Sequence, residues 1–168
     1  MNSDGTNGMT VKEVTTNNIF SFPQFIAGTD KVLYCEIERI NSVNTFFSVS
    51  TNDTSDTQIL LQTQPGIYFY PEVSVNRELL YYSSYAENVK LLNLDSKSSK
   101  DLGINIYHNP SFSYDGTKLL YYNATGFGLT SSNADGSSPA TIVSENASVK
   151  GSSLYAPKFS HDNTQVVF

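Results

Sequence analysis

The chain has 168 residues, of which 39% are hydrophobic and 15% charged, with a formal net charge of −6. That length can bury one sizeable core, and that apolar fraction excludes a disordered polyelectrolyte. The ten Lys and Arg residues form no basic cluster, which argues against nucleic acid as a partner, and no stretch reaches the roughly 20 apolar residues of a membrane-spanning helix.

The amino terminus, Met1-Asn2-Ser3-Asp4-Gly5, has neither the basic start nor the apolar core of a secretion signal. Asn2-Ser3-Asp4-Gly5 followed by Thr10-Val11-Lys12-Glu13-Val14 matches Asn133-Ala134-Asp135-Gly136 followed by Ala140-Thr141-Ile142-Val143. Residues 1–16 therefore read as the outer strand of a preceding repeat unit.

Residues 17–64 form the next unit. Phe22-Pro23-Gln24-Phe25 begins an inner strand, Ala27-Gly28-Thr29-Asp30 turns it, and Lys31-Val32-Leu33-Tyr34 begins a second strand. Candidate third and fourth strands are Thr45 to Val49 and Gln58 to Leu61. Residues 65–104 repeat the plan with Tyr70-Pro71-Glu72-Val73, the turn Val75-Asn76-Arg77-Glu78, the run Leu79-Leu80-Tyr81-Tyr82, and the segments Val89 to Leu94 and Lys100 to Gly103. Residues 105–150 do so with Asn109-Pro110-Ser111-Phe112, Tyr114-Asp115-Gly116-Thr117 and Lys118 to Tyr122, then Phe127 to Thr130 and Ala140 to Val143. Residues 151–168 supply the first two strands of a further unit, around Ala156-Pro157-Lys158-Phe159 and Gln165-Val166-Val167-Phe168, joined by His161-Asp162-Asn163-Thr164.

The four prolines lie 48, 39 and 47 residues apart, the period of a four-stranded array unit. The second strands are apolar or aromatic at every position from Leu79 to Tyr82 and from Leu119 to Tyr122, which suits strands covered on both faces. Asp115-Gly116 is the strongest of the turns, because both residue types tolerate the positive φ of a tight hairpin. No comparable window carries apolar residues at helical spacing.

Asn109-Pro110-Ser111-Phe112-Ser113-Tyr114-Asp115-Gly116-Thr117-Lys118-Leu119-Leu120-Tyr121-Tyr122, with Asn133-Ala134-Asp135-Gly136 downstream, resembles the blade consensus of TolB-like, WD-like β-propellers. The resemblance covers essentially the whole chain. The repeats have diverged: Gly28-Thr29 and Asp162-Asn163 stand in place of Asp-Gly, and the turn at Asn76-Arg77 is one residue shorter. The resemblance implies an all-β propeller of four-stranded antiparallel blades, with about three and a half blades present. A closed ring usually has about four to eight blades, so the chain reads as a piece of a longer protein whose open edges favour self-association. The resemblance also suggests a periplasmic or extracellular location, which nothing in the residues decides.

Propellers of this kind serve as protein-interaction platforms, as gates of prolyl-oligopeptidase-like serine peptidases and as parts of sugar-processing lyases. The residues themselves favour a noncatalytic platform for a protein or peptide partner. No G-x-S-x-G elbow is present, and Gly151-Ser152-Ser153 reads as a polar connection. His108 and His161 are 53 residues apart at different repeat positions, without metal-ligand spacing. The single aspartates Asp4, Asp115, Asp135 and Asp162 suit turns better than a calcium loop. Gly126-Phe127-Gly128 lacks the strand-to-helix context of a nucleotide site. Cys35, the one cysteine, reads as a buried structural thiol. The sequons at Asn52, Asn123 and Asn146 are of a kind that a chain rich in Asn, Ser and Thr produces by chance. No catalytic, metal or cofactor site is expected, and no cofactor. Most aromatic residues fall in strands and fill space between blades. Tyr68, Phe69, Tyr85, Tyr107 and Tyr155 lie in or near connections and are the candidates for a binding surface. The alternative is the regulatory propeller of a peptidase or other hydrolase whose catalytic domain lies outside this chain.

Overall fold

A computed structural model describes residues 10, 18–38, 41–63, 71–82, 88–106, 110–125, 128–144 and 156–168. The described residues are strands and turns, with no helix among them and so none long and apolar enough to cross a membrane. The chain divides into two compact units, Met1–Ile67 and Tyr68–Phe168.

The first unit is one antiparallel sheet in the order β1 (Asn18–Phe25), β2 (Lys31–Glu38), β3 (Asn44–Ser50), β4 (Thr57–Gln62). The β1 and β2 register shifts between Ser21 and Gln24, where Phe22 has φ 58 and Pro23 has no N–H to give to the ladder. Leu33, Phe46 and Val49 are fully buried, and the rings of Tyr34 and Phe47, directly opposite in register, stack with centroids 5.1 Å apart. Cys35 is buried beside Asn44, its Sγ 3.9 Å from Asn44 Oδ1. Burial, and then the charge of Glu36, push its thiol up to about 12. The thiol is a packing group, as its place in an apolar strand implies.

The second unit holds two four-stranded antiparallel sheets, with strands adjacent in the order of the chain. They are β5 (Glu72–Val73), β6 (Glu78–Tyr82), β7 (Asn88–Asn93), β8 (Ser99–Asn105), and then β9 (Ser111–Phe112), β10 (Lys118–Asn123), β11 (Gly128–Asn133), β12 (Ala140–Ser144). A two-stranded sheet follows, β13 (Lys158–Phe159) and β14 (Val166–Val167). Every residue of the run Leu79–Tyr82 is buried, as is every residue of Leu119–Tyr122. One core cluster draws Leu80, Val89 and Ile104 from one sheet and Phe112, Leu119 and Tyr121 from the next. Aromatic and aliphatic side chains thus fill the space between consecutive sheets, which is why the second strands show no polar alternation. The outer strands β8 and β12 are mostly exposed. Gly128 opens β11 where an added Cβ would lie 2.6 Å from the carbonyl oxygen of Val143, so only glycine permits that approach of β12.

Candidate binding surface

Each first strand turns into its second through a hairpin built on the same bonds. In the β9–β10 hairpin, Ser113 N–H donates to Lys118 O and Gly116 N–H to Ser113 O, both at 2.9 Å. In the β13–β14 hairpin, Ser160 N–H donates to Gln165 O and Asn163 N–H to Ser160 O, both at 2.9 Å. The β5–β6 hairpin closes one residue sooner, with Ser74 N–H donating to Glu78 O. In these three hairpins the residue of positive φ is the one whose N–H closes the turn, Gly116 at 71, Asn163 at 59 and Arg77 at 62, whereas in the β1–β2 hairpin it is Gly28 at 71, one residue before Thr29. The expectation that Asp115 shares that role with Gly116 is therefore corrected. The Asp115 carboxylate is instead an acceptor, with Oδ1 receiving Ser113 Oγ–H at 2.7 Å, Thr117 N–H at 3.0 Å and Thr117 Oγ1–H at 2.8 Å.

Asp162 repeats the device with Ser160 Oγ–H and both donors of Thr164. Asp135 repeats it with the N–H and hydroxyl of Ser137. Donation from Ser113 first, then from Thr117, holds the Asp115 carboxyl below its ordinary range. Ser160, then Thr164, hold Asp162 at about 2 against an ordinary 3.8. A depressed folded-state value means that ionised Asp162 stabilises the fold above about pH 4 and that this contribution disappears as pH falls through about 2. Thermal melts recorded between those two values should show falling stability, and Asp162→Asn, which keeps an acceptor but cannot titrate, should flatten that fall. An equal fall in the variant would assign acid sensitivity to other groups.

Consecutive hairpins of this unit are tied to one another. Asn76 Nδ2–H donates to Gly116 O at 3.2 Å, and Tyr114 N–H donates to Asn163 Oδ1 at 2.7 Å. The inner strands are tied as well. Glu72 Oε1 accepts Phe112 N–H at 3.0 Å, its Oε2 accepts Lys158 Nζ–H at 2.6 Å, and Ser111 Oγ–H donates to Pro157 O at 2.6 Å. One carboxylate on β5 therefore reaches both β9 and β13.

Tyr68, Phe69, Tyr85, Tyr107 and Tyr155 all lie outside the described residues, as do Asp4, His108, Gly126, Phe127 and Gly151 to Ser153. His161 is described, exposed, and packs on Tyr114 with ring centroids 3.9 Å apart. Sequence reasoning passed over Tyr114 because it sits inside a turn. The available signal was an aromatic side chain, 59% exposed here, at a turn position where aromatics are uncommon. Among the described residues no group of His, Cys, Asp and Glu is arranged to hold a metal ion.

Four-stranded meanders packed face to face through aromatic and aliphatic second strands define a β-propeller, and solved structures bear this out. The chain is similar to an oligogalacturonate lyase in complex with manganese (14% identity, TM-score 0.56, covering 88% of this chain and 40% of that one). It is similar to the β-propeller domain of the Trilobed protease from Pyrococcus furiosus (11% identity, TM-score 0.55, 77% and 44%). It is also similar to a putative TolB from Agrobacterium tumefaciens (19% identity, TM-score 0.53, 76% and 50%). The chain thus spans half or less of the length of each of these proteins. No protein-family model and no curated protein matches it.

Proposed function

We propose that the chain is a noncatalytic β-propeller platform for a protein or peptide partner. The observation that carries this reading is the set of bonds joining consecutive hairpins and inner strands, which holds three successive sheets to one another as a scaffold. Binding residues on loops gain precision from such a scaffold. Tyr68, Phe69, Tyr85, Tyr107 and Tyr155 fall in the segments that lead from one sheet to the next or from β6 to β7, and we assign them to the binding face. Selection of displayed peptides on the purified chain, followed by calorimetry of the synthetic sequences, should return binders weakened by Tyr107→Ala or Tyr155→Ala. Binding indifferent to both substitutions would remove these residues from the face. Labelling of the chain by a serine-directed fluorophosphonate would overturn the noncatalytic reading.

The likeness to the propeller domain of a protease favours a second reading, in which the chain regulates access to a hydrolase domain encoded with it. A G-x-S-x-G elbow encoded downstream of Phe168 would support that reading over the first.

A further inference from the structure

The tips of the β5–β6, β9–β10 and β13–β14 hairpins carry Val75, Tyr114 and His161 at one repeat position, two residues beyond Val73, Phe112 and Phe159. Val75 is 48% exposed and Tyr114 59%. The hairpins themselves need no apolar group there, because the β9–β10 and β13–β14 turns are made by the serine, the aspartate and the residue of positive φ, and the β5–β6 turn by Ser74 and Arg77. The first unit has only Ala27 at the matching place. The three side chains nevertheless sit on a ridge of adjoining hairpin tips, bonded to one another through Asn76 and Asn163. Val75 Cγ2 lies 3.1 Å from where a Cβ on Gly116 would sit, and the Tyr114 and His161 rings meet at 3.9 Å.

Arg77, in the turn that carries Val75, is paired with Asp95, and the charges left uncompensated beside Tyr114 and His161 are carboxylates. Asp115 and Asp162 each spend Oδ1 on their own turn and leave Oδ2 without a hydrogen bond among the described residues. Neither makes an ion pair with a described Lys or Arg, whereas Asp95 pairs with Arg77 at 2.7 Å and Asp135 with Lys100 at 3.9 Å. An exposed aromatic pair flanked by two uncompensated carboxylates suits a guanidinium, which is flat enough to stack on a ring and has donors in a fork that fits a carboxylate.

We propose that this ridge is a second interaction surface, at the end of the sheets opposite the β6-to-β7 and sheet-to-sheet connections, and that it takes an extended peptide segment bearing arginine next to an aliphatic residue. The arginine stacks on Tyr114 and His161 between Asp115 and Asp162, and the aliphatic side chain covers Val75. The surface is independent of the face assigned above.

The probe is the synthetic peptide acetyl-Ser-Arg-Leu-Arg-Ser-amide, titrated into the isotope-labelled chain by NMR, with Glu-Leu-Glu and Lys-Leu-Lys peptides as comparisons. The arginine peptide should shift the signals of Tyr114, His161 and Val75. The glutamate peptide should leave them in place, and the lysine peptide should bind more weakly. The double variant Asp115→Asn, Asp162→Asn keeps the turn acceptors and should weaken binding about tenfold, which corresponds to about 1.4 kcal/mol. Tyr114→Ala should do the same without changing the melting temperature by more than a few degrees. Equal binding of the glutamate peptide, shifts confined to other residues, unchanged affinity in the double variant, or no binding at millimolar peptide would each overturn the proposal. Failure of the arginine peptide to bind here while selected peptides still bind the other face would overturn it and leave the platform reading intact.

Discussion

Leu119→Ala is expected to lower the stability of the Tyr68–Phe168 unit by about 2–5 kcal/mol, a large part of what a domain of this size possesses. Leu119 is fully buried on β10, opposite Phe112 on one side and Ser132 on the other. It belongs to a cluster whose other members include Leu80, Val89 and Ile104 of the preceding sheet. Each of those neighbours is fixed by the hydrogen bonds of its own sheet, so the walls around a truncated side chain cannot close in, and the cavity persists. The matching control is Ile142→Ala on β12, where the side chain is 45% exposed and the expected loss is under about 0.5 kcal/mol. Urea unfolding followed by tyrosine fluorescence would measure both. A cost below about 1 kcal/mol for Leu119→Ala would mean that consecutive sheets are not packed together at that level.

The second large effect is expected at Glu72. Removing its side chain leaves the Phe112 N–H without its acceptor and breaks the bond to Lys158, and we expect Glu72→Ala to cost about 1–3 kcal/mol. Lys158 is more exposed, with 57% of its side chain in contact with solvent against 20% for Glu72, so Lys158→Ala should cost under about 1 kcal/mol. Glu72→Gln separates the contributions, since an amide oxygen can still accept from Phe112 while the charge is gone. It should behave like Lys158→Ala. If Lys158→Ala costs as much as Glu72→Ala, the ion pair and not the backbone bond joins β5 to its neighbours.

The local parts of this fold were legible in the residues. Pro110, Phe112, Asp115-Gly116 and Leu119 to Tyr122 each report a local demand, namely a strand start, a turn and a strand covered on both faces, and the structure meets each of them. The register of the hairpins follows from the same residues, including the shorter turn at Asn76-Arg77. The links between sheets were not legible. Glu72 is 40 residues from Phe112 and 86 from Lys158, and no spacing rule relates them. Asp115 was recognised as a turn residue for the wrong geometric reason, because a sequence shows that aspartate suits turns without showing whether its backbone or its carboxylate does the work. Arg77 shows the reverse failure. It takes the left-handed conformation that glycine takes in the next hairpin, at a cost of about 1–2 kcal/mol by the usual steric argument, and nothing in its neighbours announces this.

Every sheet here is ordered as its strands occur in the chain, so within a sheet each strand after the first bonds to the one just made before it. In kinetic terms this is an all-β protein with unusually local pairing. Closing its hairpins requires short loops of small entropic cost. The contacts that come late are those of Leu80 with Leu119 and of Glu72 with Phe112 and Lys158. Such pairing predicts that the sheets of the Tyr68–Phe168 unit form before they dock against one another, which a refolding rate insensitive to Leu119→Ala would contradict.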